Sequence, residues 1–168
     1  MFDGTLVAPI LEEGMRRRKV ILPNGAWFNL WSDTTYTGPN TVDIESPLEQ
    51  IPVLVRAGSI LPMVEEDRLL LHVYPDENAH DHTPPQLLYS DAGDGYGDWR
   101  LDSFYLRQED NFLEISWENE GKYPFPYRQI ELHLHGFRAK EVWVDDRATP
   151  PVENIIQAPF FRKVLIKA

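Results

Sequence analysis

The stretch IPVLVRAGSILPM, residues Ile51–Met63, contains two short apolar runs on either side of Ala57-Gly58. Each run is rich in aliphatic residues and shorter than a typical helix, so we predict two short buried strands. Proline cannot donate to a strand ladder, and we therefore expect the prolines of this stretch at strand starts or sheet edges.

Strand patterns of the same kind continue on both sides of this stretch. In YRQIELHLHG (Tyr127–Gly136) apolar and polar residues alternate, which is typical of a strand with one buried face. RKVIL (Arg18–Leu22) and AWFNLW (Ala26–Trp31) are further candidates, separated by a Pro-Asn-Gly turn. Helix patterns are weak, because 14 prolines and 10 glycines interrupt the apolar runs. We therefore predict an all-β protein.

The charged segment Val64–Arg68 divides these strand patterns into two series. Many short strands with frequent turn signals are typical of β-sandwiches. A chain of 168 residues is long enough for two small domains. We expect two small antiparallel β-sandwich domains in tandem, formed by residues 1–66 and 67–168.

Composition excludes several classes of function. The net charge is −11, and an acidic surface repels phosphate backbones, so we expect no nucleic-acid partner. The absence of cysteine excludes disulfides and thiolate metal sites. No stretch approaches the roughly 20 apolar residues of a membrane helix, so we expect no membrane partner and a soluble protein, with the cytoplasm as its compartment. The apolar start of the chain suggests a piece of a larger protein.

Five stretches carry a resemblance to one family. LVAPILEEG (Leu6–Gly14) resembles the segment that leaves the catalytic barrel in family 31 glycoside hydrolases, the α-glucosidase and α-xylosidase group. LPNGAWFNLWSDTTYTG (Leu22–Gly38) is similar to a second pattern of that family, and Ile51–Met63 resembles its most recognisable post-barrel segment. The later stretches Leu87–Tyr96 and Gly121–Gly136 resemble its distal strands in their order.

The resemblance implies a fold and a role. In that family a (β/α)8 barrel is followed by a proximal and a distal C-terminal sandwich, and this chain would supply only those two. The catalytic aspartates belong to the barrel, whose motifs do not occur here. The resemblance therefore implies a non-catalytic region without cofactor, whose partner is the barrel that it stabilises or shields. Because the barrel would be missing, we expect an exposed apolar patch that involves Leu6–Leu11.

The stretch YSDAGDGYGDW (Tyr89–Trp99) is a candidate cation site, because carboxylates on a flexible backbone suit calcium. Its candidate ligands are Asp91, Asp94 and Asp98. An EF-hand loop that began at Asp91 would have glycine at its third and fifth positions, where ligands are needed, so the spacing fails. The alternative is a strand-to-strand connection in which the aspartates form turns.

Two histidine groups are further metal candidates. Alternation places Glu131, His133 and His135 on one face of one strand, where they could ligate zinc if a fourth group arrived. The alternative is the solvated outer face of a sandwich. His80 and His82 lie in a polar loop and could hold a metal or respond to pH, unless that loop is simply exposed. We expect no bound metal.

Trp27 and Trp31 are candidates for stacking on sugar rings, because strand alternation would place both on one face. The alternative is packing in a core or against the barrel. Two other functions stay open. One is a free-standing carbohydrate-binding module, which needs solvent-facing aromatic residues. The other is a calcium-dependent structural or interaction domain.

Overall fold

The computed structural model describes residues 4–76, 84–93 and 96–168. These ranges contain fourteen β-strands and no helix, and the all-β prediction is confirmed. Among the described residues there is accordingly no helix that could span a membrane. The chain divides into two compact units, Met1–Ala57 and Gly58–Ala168.

The first unit is one antiparallel sheet of four strands in the spatial order β1-β4-β2-β3. Its strands are β1 (Thr5–Val7), β2 (Arg17–Asn29), β3 (Thr35–Glu45) and β4 (Val53–Arg56). The pairing of β2 with β3 shifts register between Leu22 and Gly25. The Pro-Asn-Gly predicted as a turn is therefore a bulge inside one long strand. A small core consists of Ala8, Val20, Leu22, Trp27, Ile44 and Leu54.

The second unit is a sandwich of two sheets with the strand orders β13-β10-β6-β5 and β12-β11-β14-β9-β8-β7. Nineteen buried apolar residues contributed by both sheets form its core. The strands are β5 (Ser59–Glu65), β6 (Arg68–Tyr74), β7 (Gln86–Asp91), β8 (Trp99–Glu109), β9 (Phe112–Gly121), β10 (Gln129–Leu134), β11 (Glu141–Val144), β12 (Arg147–Ala148), β13 (Ile155–Gln157) and β14 (Lys163–Lys167).

Pairing in the second unit follows the predicted antiparallel pattern with one difference. β6 and β10 lie side by side and run parallel. Parallel neighbours need a long crossover, and here the connection runs through β7, β8 and β9 of the other sheet before it returns. The alternation predicted for β10 is present, because Ile130, Leu132 and Leu134 are buried in the core.

The division between the units falls nine residues before the end predicted for the first domain, at residue 57 rather than 66. The charged segment after Met63 is the turn of a hairpin, in which Glu66 has a φ of 55°. β5 pairs with β6 along its whole length and so belongs to the second unit. The two strands predicted around Ala57-Gly58 are β4 and β5, which lie in different sheets.

Candidate functional site

A pocket of about 880 Å³ opens in the second unit where the ladder between β9 and β14 stops. The last pair of that ladder joins Ser116 to Lys163, and one further bond links the Trp117 N–H to the Arg162 carbonyl at 3.1 Å. β9 continues to Gly121, but β14 starts only at Lys163. The end of β9 therefore borders the pocket instead of a β14 neighbour.

Asp102 anchors the polar wall of this pocket. It is fully buried on β8, on the same face as the core residue Phe104. Arg100 donates from Nε to both carboxylate oxygens at 2.9 Å, and its Nη2 lies 2.8 Å from Oδ1. The Trp117 indole N–H donates to the same Oδ1 at 2.8 Å. A buried carboxylate is costly without partners, and these contacts both satisfy it and fix Arg100 and Trp117.

Aromatic rings form the other wall. The Arg100 guanidinium lies over two rings, 5.7 Å from the Trp117 centroid and 5.1 Å from that of Phe125. Phe160 stacks on Trp117 with centroids 6.0 Å apart and planes inclined by 17°. Because Phe160 is 60% exposed, it is the solvent-facing member of this stack. The Asp102 network beneath the stack holds Arg100 and Trp117 in place.

The Tyr127 ring packs edge-on against the Phe125 ring, with the ring centroids 5.2 Å apart. Burial raises the pKa of the Tyr127 hydroxyl, and the charge of Asp102 raises it further. The hydroxyl therefore stays protonated well above neutral pH and can act as a hydrogen-bond donor.

The first unit carries a different surface, formed by the loops 8–16, 30–34 and 46–52. The first and third of these loops lie side by side. The Ala8 N–H donates to the Pro52 carbonyl, and the Ser46 N–H donates to the Arg16 carbonyl, each at 2.9 Å. The second loop is tied to the third by the Trp31 indole N–H, which donates to the Ile51 carbonyl at 2.8 Å.

We call the exposed apolar side chains of these loops the loop surface: Leu11, Met15, Trp31, Leu48 and Ile51. Leu11 is 81% and Leu48 76% exposed. A depression of about 620 Å³ lies between the second and third loops and is lined by Trp31 and Leu48. In the segment where we predicted an exposed apolar patch, Val7 and Leu11 are exposed, whereas Leu6 packs against the core.

Of the three candidate zinc ligands on β10 and just after it, Glu131 and His133 contact each other, whereas His135 contacts His72. The Glu131 carboxylate accepts from Arg68 Nη1 at 2.9 Å and lies 3.2 Å from His133 Nε2. His135 Nε2 lies 2.8 Å from Nδ1 of His72 on β6. Glu131 differs from the solvated position that we expected, because it is only 5% exposed.

Glu131 is ionised in this environment. Burial raises the pKa of its carboxyl group, but hydrogen bonds from Gln157, Arg68 and His133, together with the charge of Arg68, outweigh burial and lower the pKa. The buried carboxylate is therefore the centre of a structural network between β6, β10 and β13.

The acidic loop is a turn at its first aspartate. The Asp91 carboxylate accepts from the Gly93 N–H at 2.8 Å, a side-chain-to-backbone turn. Asp98 is exposed, while Asp94, His80 and His82 lie outside the described residues. Across residues 4–76, 84–93 and 96–168, no three His, Asp or Glu side chains are arranged to hold a metal ion.

The two candidate sugar-stacking tryptophans do not share a face. Trp27 is only 4% exposed, belongs to the core of the first unit and donates from its indole N–H to the Pro23 carbonyl at 3.1 Å. Strand β2 ends at Asn29, so strand alternation does not reach Trp31, which is half exposed on the loop surface. Trp27 is thus unavailable to a sugar because it is buried.

Sequence reasoning missed the pocket of the second unit. Phe125 and Phe160 lie in loops and are distant in sequence from Asp102, so local patterns do not connect them. One signal was present: Asp102 and Phe104 occupy alternate positions of a strand, which puts a carboxylate on an otherwise apolar face. A carboxylate on such a face needs buried hydrogen-bond partners, and this pattern therefore predicts a polar network around Asp102.

The family model described as the glycosyl hydrolase family 31 C-terminal domain matches residues 3–61. An α-xylosidase of Saccharolobus solfataricus is 26% identical over 83% of this chain and 19% of its own length. An isomaltosyltransferase of Sporosarcina globispora is 36% identical over 38% of this chain and 6% of its own length.

A solved family 31 dextranase of Flavobacterium johnsoniae matches 99% of this chain with a TM-score of 0.82 and 22% identity, over 26% of its own length. A family 31 α-xylosidase of Xanthomonas citri matches 99% with a TM-score of 0.67 and 25% identity, over 19% of its length. The chain thus spans about a quarter or less of each of these relatives.

Residues 3–61 thus match the C-terminal domain of glycosyl hydrolase family 31, and the all-β fold of almost the whole chain matches part of a family 31 dextranase.

Proposed function

We propose that this region packs against the (β/α)8 barrel of a retaining α-glucosidase-type enzyme and stabilises it, while the barrel hydrolyses O-glycosyl bonds in carbohydrates. Retaining hydrolysis needs two carboxyl groups about 5–5.5 Å apart across the scissile bond. In this proposal the barrel supplies both, and the chain described here supplies no catalytic residue.

The loop surface carries this proposal. Large apolar side chains such as Leu11 and Leu48 are 81% and 76% exposed, and three loops held together by hydrogen bonds present them on one small unit. Exposed apolar clusters on a folded protein mark interaction sites. The match of this unit to a C-terminal domain, and relatives at least about four times longer, favour the barrel as the occupant.

The test places one pair of substitutions in two contexts. In the isolated chain, Leu11→Ser with Leu48→Ser leaves the melting temperature nearly unchanged, because exposed side chains contribute little there. In the product of the complete reading frame, the same pair lowers the melting temperature of the barrel and the lifetime of its activity. Equal effects in both contexts would contradict the proposal. Leu87→Ser with Val152→Ser, two exposed positions of the second unit, is the control.

An assay of the isolated chain completes the test. With nitrophenyl α-glucoside and α-xyloside we expect no turnover, and turnover that survived purification would show a catalytic site in this region. A calcium-dependent role and a cytoplasmic location both stay predictions. Melting with calcium and with a chelator tests the former, since a ligand that binds only the folded state raises stability.

A further inference from the structure

We infer that the pocket beside β9 in the second unit is a binding site for a neutral oligosaccharide, independent of the barrel. Aromatic side chains and hydrogen-bonding side chains of balanced charge line the same pocket, and the Asp102 network holds Arg100 and Trp117 in place. These features fit a ligand that has both an apolar face and many hydroxyl groups.

The apolar wall supplies a stacking surface. Phe160 is 60% exposed and lies nearly parallel to Trp117, so its outer face is available to solvent. A pyranose ring presents a flat patch of C–H groups that packs on such a ring. Sites for small molecules are commonly lined by aromatic side chains and a few placed polar groups, within about 300–1,000 Å³. The volume of about 880 Å³ falls in this range.

The polar wall selects a neutral ligand. It carries two positive groups, Arg100 and Arg162, and two negative groups, Glu118 and Asp145, with the amide of Asn119 beside them. The side chains therefore offer donors and acceptors without an excess of either charge. A phosphate or a polyanion would need an excess of positive charge, and a chain with a net charge of −11 does not attract one.

The donors and acceptors are preorganised. The bidentate contact with Asp102 fixes the plane of the Arg100 guanidinium. The Asp145 carboxylate is held by the backbone N–H groups of Arg162 and Lys163, at 2.8 and 2.9 Å. Groups that are ordered before binding lose less conformational entropy when a ligand arrives. The open end of β9 adds backbone groups to the same wall.

The experiment is a titration of the chain with isomaltotriose, maltotriose, xylotriose and cellotriose. Binding is followed by calorimetry and by amide chemical shifts in two-dimensional NMR spectra. We expect at least one sugar to bind with a dissociation constant on the order of 1 mM. The shifted amides should map to the end of β9 and to residues 158–162. Shifts confined to the first unit would overturn the inference.

Two variants connect binding to the pocket. Phe160→Ala removes the stacking surface and should weaken binding at least fivefold, while Asn119→Ala should weaken it by a smaller factor. Phe112→Ala removes a ring of the second unit that is 38% exposed and does not line the pocket, so its affinity should equal that of the wild type. NMR spectra of each variant show whether the fold is retained.

Two outcomes reject the inference outright. The first is no heat and no shift with any of the four sugars at about ten times the expected dissociation constant. The second is binding that Phe160→Ala leaves unchanged in a folded protein. Either result would show that the pocket is not a sugar site, and neither would affect the role proposed for the loop surface.

Discussion

The two units bury apolar surface by different means. The first has one sheet and a core of six buried residues, and it leaves Leu11 and Leu48 exposed. The second packs two sheets around nineteen core residues and also buries two carboxylates, Asp102 and Glu131. Because stability grows with buried area, we expect the first unit to unfold at a lower temperature than the second. A unit with a small core gains most from a partner that covers its loops.

The largest test concerns the charge network of the second unit. Asp102→Ala removes the carboxylate that contacts both Arg100 and Trp117, and it leaves the largely buried cation of Arg100 without this partner. We expect a loss of about 3–5 kcal/mol from the unfolding free energy of the second unit. Urea denaturation, followed separately for each unit by NMR, measures this loss. The transition of the first unit should stay in place.

The control for that variant is Asp98→Ala, since Asp98 is exposed in the same unit. Its effect should stay within about 0.5 kcal/mol. If Asp102→Ala cost less than about 1 kcal/mol, the typical net value of one hydrogen bond, the network would not be a stabilising feature of the sandwich.

The next test concerns the bulge of the first unit. A Cβ atom on Gly38 would lie 1.9 Å from the Pro23 carbonyl oxygen, so Gly38→Ala forces the two strands of the hairpin apart. We expect a cost of about 1–3 kcal/mol that appears in the first unit alone. Thermal unfolding with Thr37→Ala as an exposed neighbouring control measures it. A transition that moved in both units together would show that they unfold as one body.

The features that the sequence predicted well are local. The alternation of residues 130–134 depends on neighbours in one strand, and Ile130, Leu132 and Leu134 are buried as predicted, although Glu131 is buried as well. The predicted strands on both sides of Ala57-Gly58 are also present. Local patterns, however, do not state which sheet a strand joins, and β4 and β5 join different sheets.

The features that the sequence predicted poorly depend on contacts between distant residues. The charged segment after Met63 has the composition of a linker and of a hairpin turn alike, and only pairing with β6 distinguishes the two. Pro23–Gly25 likewise fits a turn and a bulge, and the approach of Gly38 selects the bulge. The pocket was missed because its walls come from four separate parts of the sequence: Arg100–Asp102, Ser116–Phe125, Asp145 and Phe160–Arg162.

A smaller test concerns the second buried carboxylate. The pKa of Glu131 is lowered below its usual value of 4.5, so its ionised form stabilises the fold above that pH. This contribution is lost as the pH falls through the lowered pKa, where the carboxylate gains a proton. Glu131→Gln should therefore cost about 1–2 kcal/mol at pH 7 and progressively less below pH 4.5. The measurement is urea denaturation at a series of pH values.

Exposed Glu120 provides the matched control for this pH series. The stability difference between wild type and Glu120→Gln should be small and nearly constant with pH. A Glu131→Gln difference that also stayed constant would mean that the carboxylate gains nothing from ionisation in the folded state. The contacts of Glu131 with Arg68 and His133 would then add no electrostatic stabilisation to the folded state.

The smallest expected change in stability comes from a substitution on the loop surface, which is compared with one in the core of the same unit. Leu48→Ser in the isolated chain should change the unfolding free energy by no more than about 0.5 kcal/mol, because the side chain is 76% exposed and loses little contact. Leu54→Ser, at a fully buried position of the same sheet, should cost several kcal/mol and destroy the first unit. A large effect of Leu48→Ser would show that the loop surface packs within its own unit. The exposed leucines would then no longer argue for a partner, and the small core would have to suffice for stability.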